Sequence, residues 1–139
     1  NIAVIGTVSA DGGYDSWASG YGLDPTTDGA PTADPDGDSF TNEQEYAFGT
    51  NPTEGNGSLL STESSGGNLT VQWLQRGDVS YVPQSTANLA TTPFADDFSV
   101  TVINGPTEPA PPAGYIRRQF TVPATGQNFY RVSATTAAP

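Results

Sequence analysis

Residues 68–86 read NLTVQWLQRGDVSYVPQST. Leu69, Val71 and Trp73 fall on one face of an extended run, where they read as core. Arg76-Gly77-Asp78 then supplies turn chemistry, and a second extended run, residues 79–86, follows it. The tripeptide also spells an integrin motif, but a Gly turn is what two flanking strands need there. The same period of two recurs on both sides. It predicts strands near 58–63 (SLLSTE), 98–103 (FSVTVI), 115–122 (YIRRQFTV) and 128–134 (NFYRVSA). The separators SSGGN, NLATTPFADD, NGPTEPAPPAG and PATGQ are all turn-forming. Six strands in about 78 residues, with no helix between them, predict a small antiparallel β-sandwich of the immunoglobulin or fibronectin III kind over 57–139. Pro83 is expected to place its strand at an edge or a bulge. The stretch Pro106–Pro112 reads as a stiff surface loop.

Composition agrees with a chain of strands and loops. Gly 16 and Pro 12 in 139 residues leave little room for long helices. There is no His, Cys, Lys or Met. Disulfides, thiolate nucleophiles, imidazole bases, Schiff bases and lysine isopeptide crosslinks are therefore excluded. Catalysis would need paired carboxylates in a cleft, so no enzymatic activity is expected. The charge is segregated. Residues 1–75 carry eleven acids and no base, whereas residues 76–139 balance four acids with four arginines. An uncompensated acidic segment repels nucleic acid and seeks cations. No apolar run is long enough to span a membrane. The start at Asn1 rather than Met fits a mature product after signal removal, or a fragment of a longer protein.

Within the acidic half, the decisive stretch is Asp34-x-Asp36-x-Asp38-x-Phe40-x-Asn42-x-x-Glu45. These residues fall at positions 1, 3, 5, 7 (through a backbone carbonyl), 9 and 12 of a calcium loop. Three short carboxylates packed together repel one another unless a cation lies between them. Glu45, on the first turn of an exit helix, can close such a site with two oxygens. Position 6, ordinarily Gly, is Ser39, with Gly37 two residues earlier. Ser tolerates positive φ poorly, so a distorted loop or reduced affinity is expected. Gly49 and Pro52 then end the exit helix.

The run ADPDGDSFTNEQEYAFGTNPTEG resembles the bacterial form of the thrombospondin type 3 calcium repeat and is similar to a dockerin half-repeat. The family pattern is DxDxDGxxNxxE followed by a short helix and a Gly-Thr-x-Pro exit. Asp34, Asp36, Asp38, Asn42, Glu45, Gly49, Thr50 and Pro52 match it, and Ser39 replaces its Gly. The resemblance covers roughly residues 14–55. It implies Ca2+, export to the cell exterior and a structural or spacer role. A loose likeness of NFYRVSA to the last strand of sandwich modules that follow such repeats adds little.

Around that loop the expectations are smaller. Asp15 or Ser16 can cap a short helix carrying Trp17 and Tyr21. Asp11, Asp15, Asp24 and Asp28 are candidates for a second ion, or equally for solvated turns. Asn56-Gly57-Ser58 and Asn68-Leu69-Thr70 are glycosylation sequons. Tyr21, Tyr46, Trp73, Tyr81, Tyr115 and Tyr130 raise sugar stacking as an alternative.

The chain divides accordingly into an N-terminal strand (1–10), a calcium module (11–56) and a sandwich (57–139). Ile2, Val4, Ile5 and Val8 make the first segment apolar on nearly both faces. Such sandwiches commonly have seven strands, and six are found. Donation of residues 2–8 to the next copy would complete its sheet and build a head-to-tail filament of self-copies. Return of the same strand to its own sandwich stays open, because the linker is long enough. The alternative function is an accessory or carbohydrate-binding module of a larger secreted protein.

Overall fold

The computed structural model describes residues 2–7, 12–124 and 128–136, with only the backbone described for 2–7, 12 and 136. Val8 and Asp11 lie outside the described residues. The elements run β1 (Ile2–Thr7), α1 (Gly12–Gly20), α2 (Asn42–Phe48), β2 (Ser61–Ser65), β3 (Asn68–Arg76), β4 (Val79–Thr86), β5 (Ala95–Asp96), β6 (Ile103–Asn104), β7 (Tyr115–Pro123) and β8 (Phe129–Thr136). They form two four-stranded sheets, ordered β1-β8-β4-β5 and β2-β3-β7-β6. The protein is mostly β, a two-sheet sandwich with two short helices.

The inward side chains follow the alternation of the strands. Val71 and Trp73 on β3, Phe120 and Val122 on β7, and Tyr130, Val132 and Ala134 on β8 are buried. Trp73, Phe120 and Tyr130 are stacked in series, each ring 5.9 Å from the next. At 3% exposure Trp73 is core rather than a sugar platform. Tyr14, Ala18, Tyr46, Ala47 and Phe48 from the helices belong to the same apolar cluster, so the helical segment and the sandwich share one core.

β3 and β4 are strands as expected, but they do not pair with each other. β3 lies between β2 and β7, and β4 between β8 and β5. Arg76-Gly77-Asp78 is thus the turn that carries the chain from one sheet to the other. Pro83 stands in an inner strand, opposite Val132. Its carbonyl accepts from Asp97 N at 2.9 Å. N and O of one strand residue point to the same side, so the missing N–H faces β5. That strand is too short to ask for it, pairing only with Gln84 and Ser85.

The strand expected over 98–103 is not formed. Asp97 Oδ1 accepts from Ser99 N at 3.0 Å and from the Ser99 hydroxyl, a local turn that breaks the extended run. The segment instead crosses between sheets, touching β4 through β5 and β7 through β6. Val100 and Val102 still pack on the core, while Phe98 is 83% exposed. The first sandwich strand also lies later than 58–63, because Leu59 and Leu60 turn inward as buried residues before β2 begins at Ser61. α1 starts at Gly12, upstream of the expected cap, so Asp15 sits in its first turn.

β1 is a strand, as its apolar run predicts. It lies parallel to β8 of the same chain, in register from Ile2 opposite Tyr130 to Thr7 opposite Thr135. The other pairings are antiparallel. Among the described residues, β1 ends its sheet, with β8 as its single strand neighbour.

Candidate metal centre

The loop before α2 is shaped by its own carboxylates. Asp34 Oδ1 accepts from Gly37 N at 2.8 Å and Asp38 N at 3.2 Å, and its Oδ2 accepts from Ser39 N at 3.0 Å. Asp36 Oδ1 accepts from Asp38 N at 3.2 Å, and Asp38 Oδ1 from Phe40 N at 2.9 Å. These short side chains bend the backbone round themselves. The result brings one carboxylate oxygen each of Asp34, Asp36 and Asp38 within 4.8 Å of one another. Ser39 adopts φ +79°, the left-handed conformation that the pattern's glycine would take, so the loop keeps its course at a cost in strain. Ser39→Gly is expected to stabilise the chain by about 0.5–1 kcal/mol, the left-handed penalty less the entropy of a new glycine. A higher urea midpoint at unchanged slope would register it.

Glu45, on α2, lies outside the cluster that Asp34, Asp36 and Asp38 form. Its residue is fully buried. Thr50 Oγ1 donates to its Oε1 at 3.1 Å and Asn56 Nδ2 donates to the same oxygen at 2.7 Å. Burial pushes the Glu45 carboxyl up to about 7, against the Thr50 hydroxyl, and the charges of Asp36, Asp38 and Asp34 add to the rise. Four buried oxygens of residues 34–45, Asp36 Oδ2, Thr41 Oγ1, Asn42 Oδ1 and Glu45 Oε2, have no hydrogen-bond partner. An orphaned buried acceptor is costly, and those of Asp36, Asn42 and Glu45, at ligand positions of the loop, fit a hard cation.

Asn42 does not place its amide nitrogen in the loop. Nδ2 donates to Asp28 O at 2.9 Å and Ala30 O at 3.0 Å, tying the upstream turn to the first residue of α2. Phe40 is half-buried, with its side chain packed against the core. Asp24 and Asp28 serve turns: Asp24 Oδ1 accepts from Thr26 N at 2.9 Å, and Asp28 Oδ1 from Asp24 N at 2.8 Å. Hydrogen bonds from Thr26 hold the Asp24 carboxyl below its ordinary value. Among the described residues, Asp15, Asp24 and Asp28 join no carboxylate cluster.

Asn56 is the site residue that the sequence pattern misses. Its backbone N donates to Asp38 Oδ2 at 2.7 Å. Its Nδ2 lies 3.3 Å from that same oxygen as well as 2.7 Å from Glu45 Oε1. Burial alone would raise Asp38, yet the N–H groups of Asn56 and Phe40 outweigh it and hold the carboxyl low. The Gly-Thr-x-Pro exit signals a turn after α2, but nothing in the spacing brings residue 56 back to residue 38.

The residue after Glu45 faces the sandwich. Gly49, at φ +76°, ends α2 with its N–H 2.8 Å from Glu45 O. A Cβ there would meet Leu74 Cδ1 at 2.9 Å, so only glycine lets the helix end lie directly on β3. Tyr115 Oη donates to Tyr46 O at 2.6 Å, and Tyr81 Oη donates to Ala47 O. The Arg76 guanidinium lies 4.1 Å above the Tyr46 ring and pairs with Asp78 at 2.7 Å. Tyr46 Oη completes the ring of contacts by donating to Asp78 Oδ2 at 2.5 Å. Asp78, though exposed, has both carboxylate oxygens engaged by Arg76 and Tyr46, in keeping with a turn rather than a recognition motif.

Fold and site together define a mostly β protein with an oxygen-only side-chain cluster clasped to its sandwich by one short helix. No family model, curated protein or solved structure matches the chain.

Proposed function

We propose that this chain is a non-catalytic structural protein of the cell exterior, stabilised by calcium in a thrombospondin type 3-like loop. The ligands are Asp34, Asp36, Asp38, the Phe40 carbonyl, Asn42 and Glu45. The observation that carries the reading is the triad of carboxylates at Asp34, Asp36 and Asp38, with buried, partnerless oxygens on Asp36, Asn42 and Glu45 of the same loop. Oxygen ligands without nitrogen or sulfur suit calcium rather than zinc. Calcium held there neutralises part of the acidic half and fixes α2, whose Tyr46, next to Glu45, grips the sandwich.

In this proposal the chain works as the subunit of a filament, and β1 is the exchanged strand. β1 forms one edge of its sheet and, among the described residues, pairs with β8 alone. A β1 from a second copy would re-form the same register, so exchange costs little in contacts. The fibronectin III-like class of the sandwich belongs to the same reading. A second reading is favoured by the pairing of β1 within its own chain. A sandwich that completes itself can serve as an accessory module of a larger secreted protein.

Isothermal titration with calcium tests the metal. The intact chain is expected to bind with Kd near the millimolar range of extracellular modules, and Asp36→Ala to lose the heat signal. Sedimentation at rising concentration separates filament from module. Concentration-dependent polymers that contain the intact chain are expected, and a monomer at every concentration would favour the module.

A further inference from the structure

Asn56 stands outside the twelve-residue loop, yet it touches two of its carboxylates. Its Nδ2 is 2.7 Å from Glu45 Oε1 and 3.3 Å from Asp38 Oδ2, and it also reaches Asn51 O at 3.3 Å. Its backbone N–H, at 2.7 Å from Asp38 Oδ2, anchors the residue independently of the side chain. The amide therefore bridges one oxygen of Asp38 and one of Glu45. Glu45 Oε2, fully buried and without a partner, belongs to the same carboxylate.

Two oxygens bound to one calcium stand about 3 Å apart, given ion–oxygen distances of 2.3–2.6 Å. The amide nitrogen of Asn56 already lies at such a distance from both carboxylates. A half-turn of the amide exchanges Nδ2 for Oδ1 with no movement of the backbone. As donor, the amide offsets carboxylate charge. As acceptor, it would add a neutral oxygen to the ion's shell. Calcium takes six to eight oxygens, so a further protein ligand fits its demand.

We propose that Asn56 is a further ligand of the cation, supplied through Oδ1 from the segment that leads into the sandwich. The inference rests on the calcium reading above. It makes the ion a clasp between the loop and the chain that enters β2, not merely a filler of the loop.

The test compares the intact chain with Asn56→Ala and Asn56→Asp, using calcium for affinity and Tb3+ for metal-bound water. Water is counted from luminescence decay in H2O and D2O. Asn56→Ala is expected to weaken calcium binding by at least about tenfold, the scale on which even groups behind metal ligands act. It should also admit about one more water to the ion. Asn56→Asp, with an added charge on the same ligand position, should bind more tightly at an unchanged water count. If both variants weaken binding and neither alters the water count, Asn56 merely positions Asp38 and Glu45, and the inference fails. Unchanged affinity in Asn56→Ala overturns it too. Should the alanine variant not fold, the direction of the Asn56→Asp change decides alone. Absence of binding by the intact chain would overturn the calcium reading itself, a result distinct from either.

Discussion

Tyr46→Ala is expected to destabilise the chain by about 3–5 kcal/mol, the range for truncating a large buried aromatic. Tyr46 is 1% exposed. Its ring stands edge-on to Tyr14 at 5.2 Å and to Trp17 at 5.3 Å, and carries Arg76 on its face. Truncation leaves a cavity where the helices meet the sandwich and deprives Asp78 of one of its two side-chain donors, leaving Arg76 alone. Because Glu45 is its neighbour on α2, calcium affinity should fall with stability although no ligand is touched. Tyr46→Phe separates the two terms. It keeps the packing and should cost only the hydrogen bond, about 1 kcal/mol or somewhat more for a charged acceptor. Urea unfolding of both variants, followed through tryptophan fluorescence, makes the measurement. Equal stability of Tyr46→Ala and the intact chain would show that the helical segment and the sandwich do not share a core.

The second large effect is expected from a chain that begins at residue 10. Removal of β1 strips β8 of its parallel partner along Tyr130–Thr135 and exposes a long sheet edge. Val132 and Ala134 of β8 are fully buried, and the edge lies beside them. The truncated chain should therefore melt far lower or aggregate, and it should form no fibres. A free peptide NIAVIGTVSA should restore stability in proportion to its concentration. A truncated chain that melts like the intact one and ignores the peptide would remove β1 from any role in assembly.

Parts of this architecture are plain in the sequence, and their limits are physical. β3, β4 and β7 are legible because alternation and turn residues act locally, and a strand half buried against one core shows both. The segment after Asp97 is not, because one side chain capping Ser99 overrides a favourable run of Phe, Val and Ile. α1 begins on Gly12 and Gly13, poor helix formers; burial of Tyr14 and Ala18 carries it where propensity does not. The apolar run of β1 announces a strand but encodes neither its partner nor its parallel direction. At the candidate metal centre the three clustered acids, Asp34, Asp36 and Asp38, can be named from spacing alone. Asn56 cannot, since its contact with Asp38 spans eighteen residues and depends on how the exit turn folds back.

Thermal unfolding in saturating calcium and in excess EDTA bears most directly on the central claim, that a cation at Asp34, Asp36, Asp38 and Glu45 helps to hold the fold. With calcium at tenfold its Kd, mass action adds about 1.4 kcal/mol, so the melting temperature should rise by several degrees over that in EDTA. The same comparison on Asp36→Ala should show no difference. Superimposable melts of the intact chain in calcium and in EDTA would contradict the account.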